Sequence, residues 1–167
     1  MAHYKIVADQ STLSAEAKSS LHPIHAEARH VAGWVEAVIA DGSLNAAEPA
    51  NARIELAIDA LRADNALVNR EIQKRLDSRR YPTVVAEIHK VSAGSGDRYE
   101  WHGDLTLRHV TKPVTGWAQL VSSTDSSLRV TGGLTLDIRD FGLDPPKLLG
   151  MRVYPEVTVS VQVAATT

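Results

Sequence analysis

Between Tyr99 and Leu107 apolar and polar positions alternate without a slip, with Trp101, Gly103, Leu105 and Leu107 on one face and His102, Asp104 and Thr106 on the other. A period of two with one apolar and one polar face predicts a half-buried strand. Arg108 and His109 break the alternation, and Val114, Gly116, Ala118 and Leu120 resume it. Pro113 cannot donate a ladder hydrogen bond, so it belongs at a strand start or an edge. The stretch therefore predicts two antiparallel strands joined by a short polar turn.

Much of the chain is patterned in the same way. Short strands are expected over His3 to Ala8 and Thr12 to Lys18, around a turn at Asp9-Gln10-Ser11 whose side chains can bond their own backbone. An Ala-rich strand is expected from Ala26 to Ala40, with a bulge or close backbone approach at Gly33 and a closing turn at Asp41-Gly42-Ser43. Leu44 to Asn51 reads as loop. Ala52 to Asp59 puts Ile54, Leu56 and Ile58 on one face. The period then changes, because Val68, Ile72 and Leu76 recur every four residues between Ala63 and Ser78. That spacing predicts one amphipathic helix, with Asp64 as its cap, Gln73 off the apolar stripe and Tyr81-Pro82 as its exit.

Strands resume over Thr83 to Val91 and, beyond a polar turn at 122–127, over Leu128, Val130, Gly132, Leu134, Leu136 and Ile138. The connector 144–150 has room for at most one helical turn. The last strand is the longest, with Val153, Pro155, Val157, Val159, Val161 and Val163 on one face and Pro155 marking an unpaired or bulged position. Strands at this spacing with one helix predict a mainly all-β fold, a sandwich or a barrel. The length of the final strand favours an extended antiparallel β-barrel of about eight strands, because a long strand needs partners on both edges.

Composition narrows what such a fold does. A chain of 167 residues is read as one domain over 1–167, long enough to bury a core without staples. It has no cysteine, hence no disulfide, thiolate nucleophile or cysteine-held metal. Eighteen basic and twenty acidic residues give a net charge of -2 without long runs of one sign, which argues against nucleic acid as a partner. The N-terminus lacks a signal-peptide pattern, and no stretch approaches the roughly 18 apolar residues of a membrane span. A cytoplasmic protein without membrane insertion is expected, or a periplasmic or secreted one if a leader has been trimmed.

The inner faces are rich in Ala, Gly and Val, and the chain contains one Phe. A barrel of this size holds either packed side chains or one small ligand. If the lumen is open, alternation aims Ile54, Leu56 and Ile58, Leu105, Leu134 and Leu136, and Val157, Val159 and Val161 into it. Trp34 and Trp101 are the tryptophans placed there as cavity walls, while an outer tryptophan would be covered by the helix or by a second subunit in a homodimer. Arg70, Arg79 and Arg80 are candidates to hold an anionic headgroup. His22, His25 and His30 lack the carboxylate or cysteine pattern of a metal site, so no metal and no cofactor is expected. His89 and His102 share strand faces with Glu87 and Asp104 and could meet across the ladder as a His-carboxylate pair. No Gly-x-Ser-x-Gly elbow or phosphate-cradling glycine loop is present.

Three motifs, in order, resemble the YceI-like family of polyisoprenoid- and lipid-binding proteins. They are the helix from Asn69 to Leu76 followed by Asp77-Ser78-Arg79-Arg80-Tyr81-Pro82-Thr83, the Gly103-Asp104-Leu105-Thr106-Leu107 strand with its Val110-Thr111-Lys112-Pro113-Val114 turn, and Arg139-Asp140-Phe141-Gly142. The chain departs from the family at His109, where glycine is usual. The resemblance implies a lipocalin-like barrel with a helix across one side, and a bacterial setting in transport, lipid-quinone metabolism or chemical stress. The expected function is non-catalytic binding or carriage of an elongated apolar molecule of isoprenoid, quinone or fatty-acyl type. The alternatives are a structural or interaction module with a filled barrel and, behind it, a small His/carboxylate enzyme.

Overall fold

The computed structural model describes residues 1–148 and 150–167. Its first strands are β1 (Ala2–Ile6), β2 (Thr12–Ser19), β3 (Ile24–Arg29) and β4 (Ala32–Ala37), followed by a small hairpin of β5 (Ile39–Ala40) and β6 (Ser43–Leu44). Then come β7 (Asn51–Ala57), β8 (Arg62–Ala63), the helix α1 (Ala66–Leu76), β9 (Thr83–Ala93) and β10 (Arg98–Leu107). The chain ends with β11 (Val110–Ser123), β12 (Ser127–Asp137), β13 (Lys147–Leu148) and β14 (Met151–Thr166).

Hydrogen bonding in the order β1-β4-β7-β9-β10-β11-β12-β14, closed by pairing of β14 with β1, makes an eight-stranded antiparallel barrel. The closing register is Lys5 with Thr166 and Ile6 with Ala165. Along its earlier part the same edge of β14 pairs with β2, from which β3 and β8 continue as a flap of sheet. Ser11 fastens the junction. Its hydroxyl, buried with the residue at 1% exposure, donates to the carbonyl of Val7 at 2.9 Å and accepts from the amide of Ala164 at 3.1 Å.

The proline positions follow from missing donors. The first half of β11, which holds Pro113, pairs with β10 alone, because β12 joins β11 only from Trp117 onward. A short 3-10 turn, Ile138–Phe141, packs against β11 and β14 beside this divergence, and Phe141 is buried there with Leu105, Leu107 and Leu143. Pro155 lies in a bulge, where register passes from Val153–Ser19 to Val157–Ala17. In the connector, Lys147 and Leu148 form a short strand against β14 instead of a helical turn, and Leu149 lies outside the described residues.

Two sequence expectations change. The Ala26 to Ala40 stretch is in fact three strands, β3, β4 and the short β5, with a turn between β3 and β4 at which His30 adopts a left-handed backbone of φ 62° and Val31 is fully buried. Histidine is one of the few side-chain-bearing residues that enter this region with any ease. The turn resets the in-out parity, so β4 presents Val35 and Ala37 to the interior and Trp34 to the outside, stacked 5.6 Å from His3. The close approach expected at Gly33 is present: its φ is 134°, and a Cβ there would stand 1.8 Å from the carbonyl oxygen of Arg53.

The second change concerns the helix and the residues that lead into it. β7 ends at Ala57, and Ile58 enters a 3-10 turn, where it is fully buried. The cap is Asn65 instead of Asp64, its side-chain oxygen accepting from Leu67 N at 2.8 Å and Val68 N at 3.3 Å. Gln73 is not free of contacts, since its amide donates to the carbonyl of Ile58 at 3.2 Å and ties the helix to that turn. Gln73→Ala is therefore expected to cost about 1 kcal/mol, where a free surface position would cost nothing. Ile72→Ala, half-buried against open space, is expected to cost about 1–2 kcal/mol, and exposed Lys74→Ala close to zero, all measured by urea unfolding. Equal costs at positions 72 and 74 would show that the stripe is misassigned.

Candidate functional site

Side chains fill the barrel well toward its two ends and poorly in between. Tyr4, Ile6, Leu128, Val163 and Ala165 form one buried cluster, and Leu105, Leu107, Phe141 and Leu143 form another. Leu128 is the second residue of β12 and Leu136, which packs on the second cluster, nearly ends it, so the clusters lie toward opposite ends of the strands. Between them is a cavity of about 440 Å³. That volume lies in the range of about 300–1,000 Å³ typical of small-molecule sites.

The wall is assembled from alternate residues of several strands. Ile54 and Leu56 come from β7, Trp101 and Leu105 from β10, Leu134 and Leu136 from β12, and Val157, Val159 and Val161 from β14. Ala15, Ala26, Ala86 and Gly132 fill positions between them, where larger side chains would close the space. On β14 the two terminal valines, Val153 and Val163, are buried, but Val157, Val159 and Val161 remain partly exposed although their side chains point inward. Their exposure is to the lumen.

Trp101 lies along this wall because Gly116 makes room for it. A Cβ at Gly116 would stand 2.3 Å from Trp101 Cζ2. The indole N–H donates to the carbonyl of Trp117 at 3.0 Å, which satisfies the polar edge of an otherwise apolar wall. Trp117 itself is on the outer face, with the Arg98 guanidinium 4.1 Å from its ring centroid.

Several expected residues fall elsewhere. Trp34 is outside for the parity reason above, and Ile58 is packed in its turn instead of facing the lumen. Arg70, Arg79 and Arg80 are exposed and not part of the wall. The arginine that does reach it is Arg75, one turn along from Glu71, whose carboxylate accepts from Arg75 Nε at 2.6 Å. Arg75 also donates from a terminal nitrogen to the carbonyl of Asp144 at 2.7 Å. The spacing Glu71-x-x-x-Arg75 signals a helical ion pair. That the pair lines a cavity follows only from how the helix is seated, with Val68, Ile72 and Leu76 on the same wall.

The histidines stay outside the lumen. His89 and Asp104 meet across the ladder at 3.1 Å, and His102 lies 2.8 Å from Glu100, all four about half exposed. His25 pairs with Glu27 and His30 with Asp9. Among the described residues no cluster of three or more potential metal ligands occurs. Titrations are perturbed on the outer surface: a hydrogen bond from Arg139, with the Arg139 amide and charge adding to it, holds the Asp137 carboxyl below the usual range. Glu55, through its hydrogen bond and charge, and Glu87 raise Arg53. The described wall contains no Ser, Thr, Cys, His or Lys side chain. Its polar side chains are Glu16, Asn51, Glu71 and Arg75, the hydroxyls of Tyr99 and Tyr154 and the Trp101 N–H.

Against known proteins, the sequence matches the YceI-like domain over residues 4–165. The chain belongs to the YceI-like family. A search of curated proteins finds no match. Solved structures with this fold include Burkholderia cenocepacia BcnA, at 18% identity and a TM-score of 0.81 over 96% of this chain and 99% of that one. A polyisoprenoid binding domain from Saccharophagus degradans, implicated in plant cell wall breakdown, aligns at 11% identity and a TM-score of 0.72 over 98% of each chain. The Campylobacter jejuni YceI protein aligns at 14% identity and a TM-score of 0.60 over 80% of this chain and 81% of that one. At these identities the likeness is one of fold. Among the described residues of this YceI-like chain, no helix is long and apolar enough to cross a membrane.

Proposed function

We propose that this YceI-like barrel is a non-catalytic binding protein that takes an elongated apolar molecule, of isoprenoid, quinone or fatty-acyl type, into its lumen. The observation that carries the reading is the partial exposure of Val157, Val159 and Val161, inward-facing residues of the longest strand whose side chains line the cavity. A packed barrel would bury them as completely as it buries Val153 and Val163. Transfer of an alkyl or prenyl chain into such a space is worth about 0.8 kcal/mol per methylene, so affinity needs few polar contacts. The Saccharophagus neighbour, described as a polyisoprenoid binding domain, supports the same class of ligand.

Protein purified without detergent is expected to release an apolar passenger into organic solvent, detectable by mass spectrometry. It is also expected to raise the emission of an added fluorescent fatty acid or prenyl probe. An empty extract together with a dark probe would replace this reading with that of a filled interaction module.

A further inference from the structure

Anything that reaches the lumen has to cross the wall, because packed clusters plug both ends, around Tyr4 and Leu128 at one and around Leu105 and Phe141 at the other. Most of the wall is continuous sheet. β12 and β14, for example, stay in register from Ser127 with Thr166 to Asp137 with Glu156, and parting such a ladder breaks hydrogen bonds along its whole length. One interval is built differently. β1 pairs only with the end of β14; lower down, the wall runs from β14 through β2 and β3 to the short β8, and among the described residues β8 does not pair with β7 or β9. The helix α1 fills that interval, bonded to β8 on one side and to the turn after β7 on the other, with Val68, Ile72 and Leu76 completing the lumen wall.

Side chains hold α1 in place of a ladder. In its first half Asn69 brackets Ala63 of β8, accepting from the amide at 2.6 Å and donating to the carbonyl at 2.9 Å. In its second half Gln73 donates to the Ile58 carbonyl at 3.2 Å, and Arg75, oriented by Glu71, donates to the Asp144 carbonyl at 2.7 Å. Of the apolar stripe Val68 is buried, while Ile72 and Leu76 are half-buried and line the cavity. The helix ends at Asp77, whose backbone turns left-handed at φ 50°, and the exposed Arg79 and Arg80 follow.

We infer that α1 is the door of the lumen, anchored through Asn69 to β8 and latched by Gln73 and Arg75, and that the apolar ligand enters and leaves beneath its second half. This rests on the carrier reading above. Segments that open while the rest of a protein stays folded are those with few buried apolar contacts and few hydrogen bonds to break, and α1 meets both conditions where the sheet meets neither. A bound chain lying against Ile72 and Leu76 supplies the packing that those residues lack. Occupancy therefore shuts the door behind the ligand.

The chain has no cysteine, so a pair can be introduced for a specific cross-link. Arg75→Cys with Asp144→Cys places a thiol on each side of the latch, and a bis-maleimide about as long as the arginine side chain it replaces ties the helix shut. The same variant with each thiol capped by N-ethylmaleimide is the comparison. In stopped flow the linked protein is expected to take up and release a fluorescent prenyl probe at least about tenfold more slowly than the capped protein. Hydrogen exchange on the parent protein needs no variant: amides of residues 70–76 are expected to exchange at least about a hundredfold faster than those in the middle of β12 and β14, and to slow when the probe is bound. Equal probe kinetics in the linked and capped proteins, or helix amides as protected as those of β12, would overturn the door and leave the carrier intact. A parent protein that binds no probe would overturn the carrier, and the door with it.

Discussion

Leu105→Asp is expected to abolish the cooperative thermal melt followed by circular dichroism. Leu105 is 7% exposed, faces inward from the last part of the best-patterned strand, and packs in the cluster of Leu107, Phe141 and Leu143. An ionised carboxylate there has no cationic partner in the cluster, and the alternative, protonation at neutral pH, is itself costly. Removing the leucine contacts adds about 2–5 kcal/mol. Against a total stability of about 5–15 kcal/mol for a domain, the sum leaves little or nothing. Asp104→Leu, one residue away on the outer face, is expected to keep the parent melt within about 1 kcal/mol. A parent-like melt for Leu105→Asp would mean that the inside and outside of β10 are exchanged.

The second large effect separates binding from folding. Val159 sits midway along β14, paired with Leu134 on one side and Ala15 on the other, and its side chain reaches the open lumen. Val159→Trp is expected to end uptake of a fluorescent prenyl probe while moving the midpoint of thermal unfolding by only a few degrees. Added bulk is destabilising by about 1–3 kcal/mol where it must displace packed atoms. Here it enters space that is already empty. The same substitution at Val163, which is buried in the cluster around Tyr4 and Leu128, is expected to be far more harmful to stability. If both variants are equally unstable, the lumen is not the site of binding.

These two positions were visible in the sequence because their strands alternate without interruption. Parity along a strand is a reliable guide until something resets it, and the misplacements have that cause. Trp34 follows a turn at His30 and Val31 that no Gly, Asn or Asp marks in the sequence. Ile58 was assigned by counting past Ala57, where the chain leaves the sheet. The helix stripe was legible from its spacing, but its role was not. Val68, Ile72 and Leu76 seat the helix on the barrel, and they also line open space. Likewise, the four arginines on and just after the helix look alike in sequence. Only the docking of α1 beside the loop at Asp144 distinguishes Arg75 from Arg70, Arg79 and Arg80.

The pairing of β14 with β1 has a consequence for how the chain comes off the ribosome. β14 closes against β12 and, on its other edge, against β2 and β1, so the first strands of the barrel wait for the last one to be made. Until residue 166 has emerged, β1, β2 and β12 each carry an open edge, the kind of edge on which neighbouring nascent chains pair with each other. Contacts this distant in sequence also make for slow folding. A stop codon ahead of Met151 would thus yield a product with three unsatisfied strands and no barrel, destined for aggregation or proteolysis. A barrel built this way is either complete or absent.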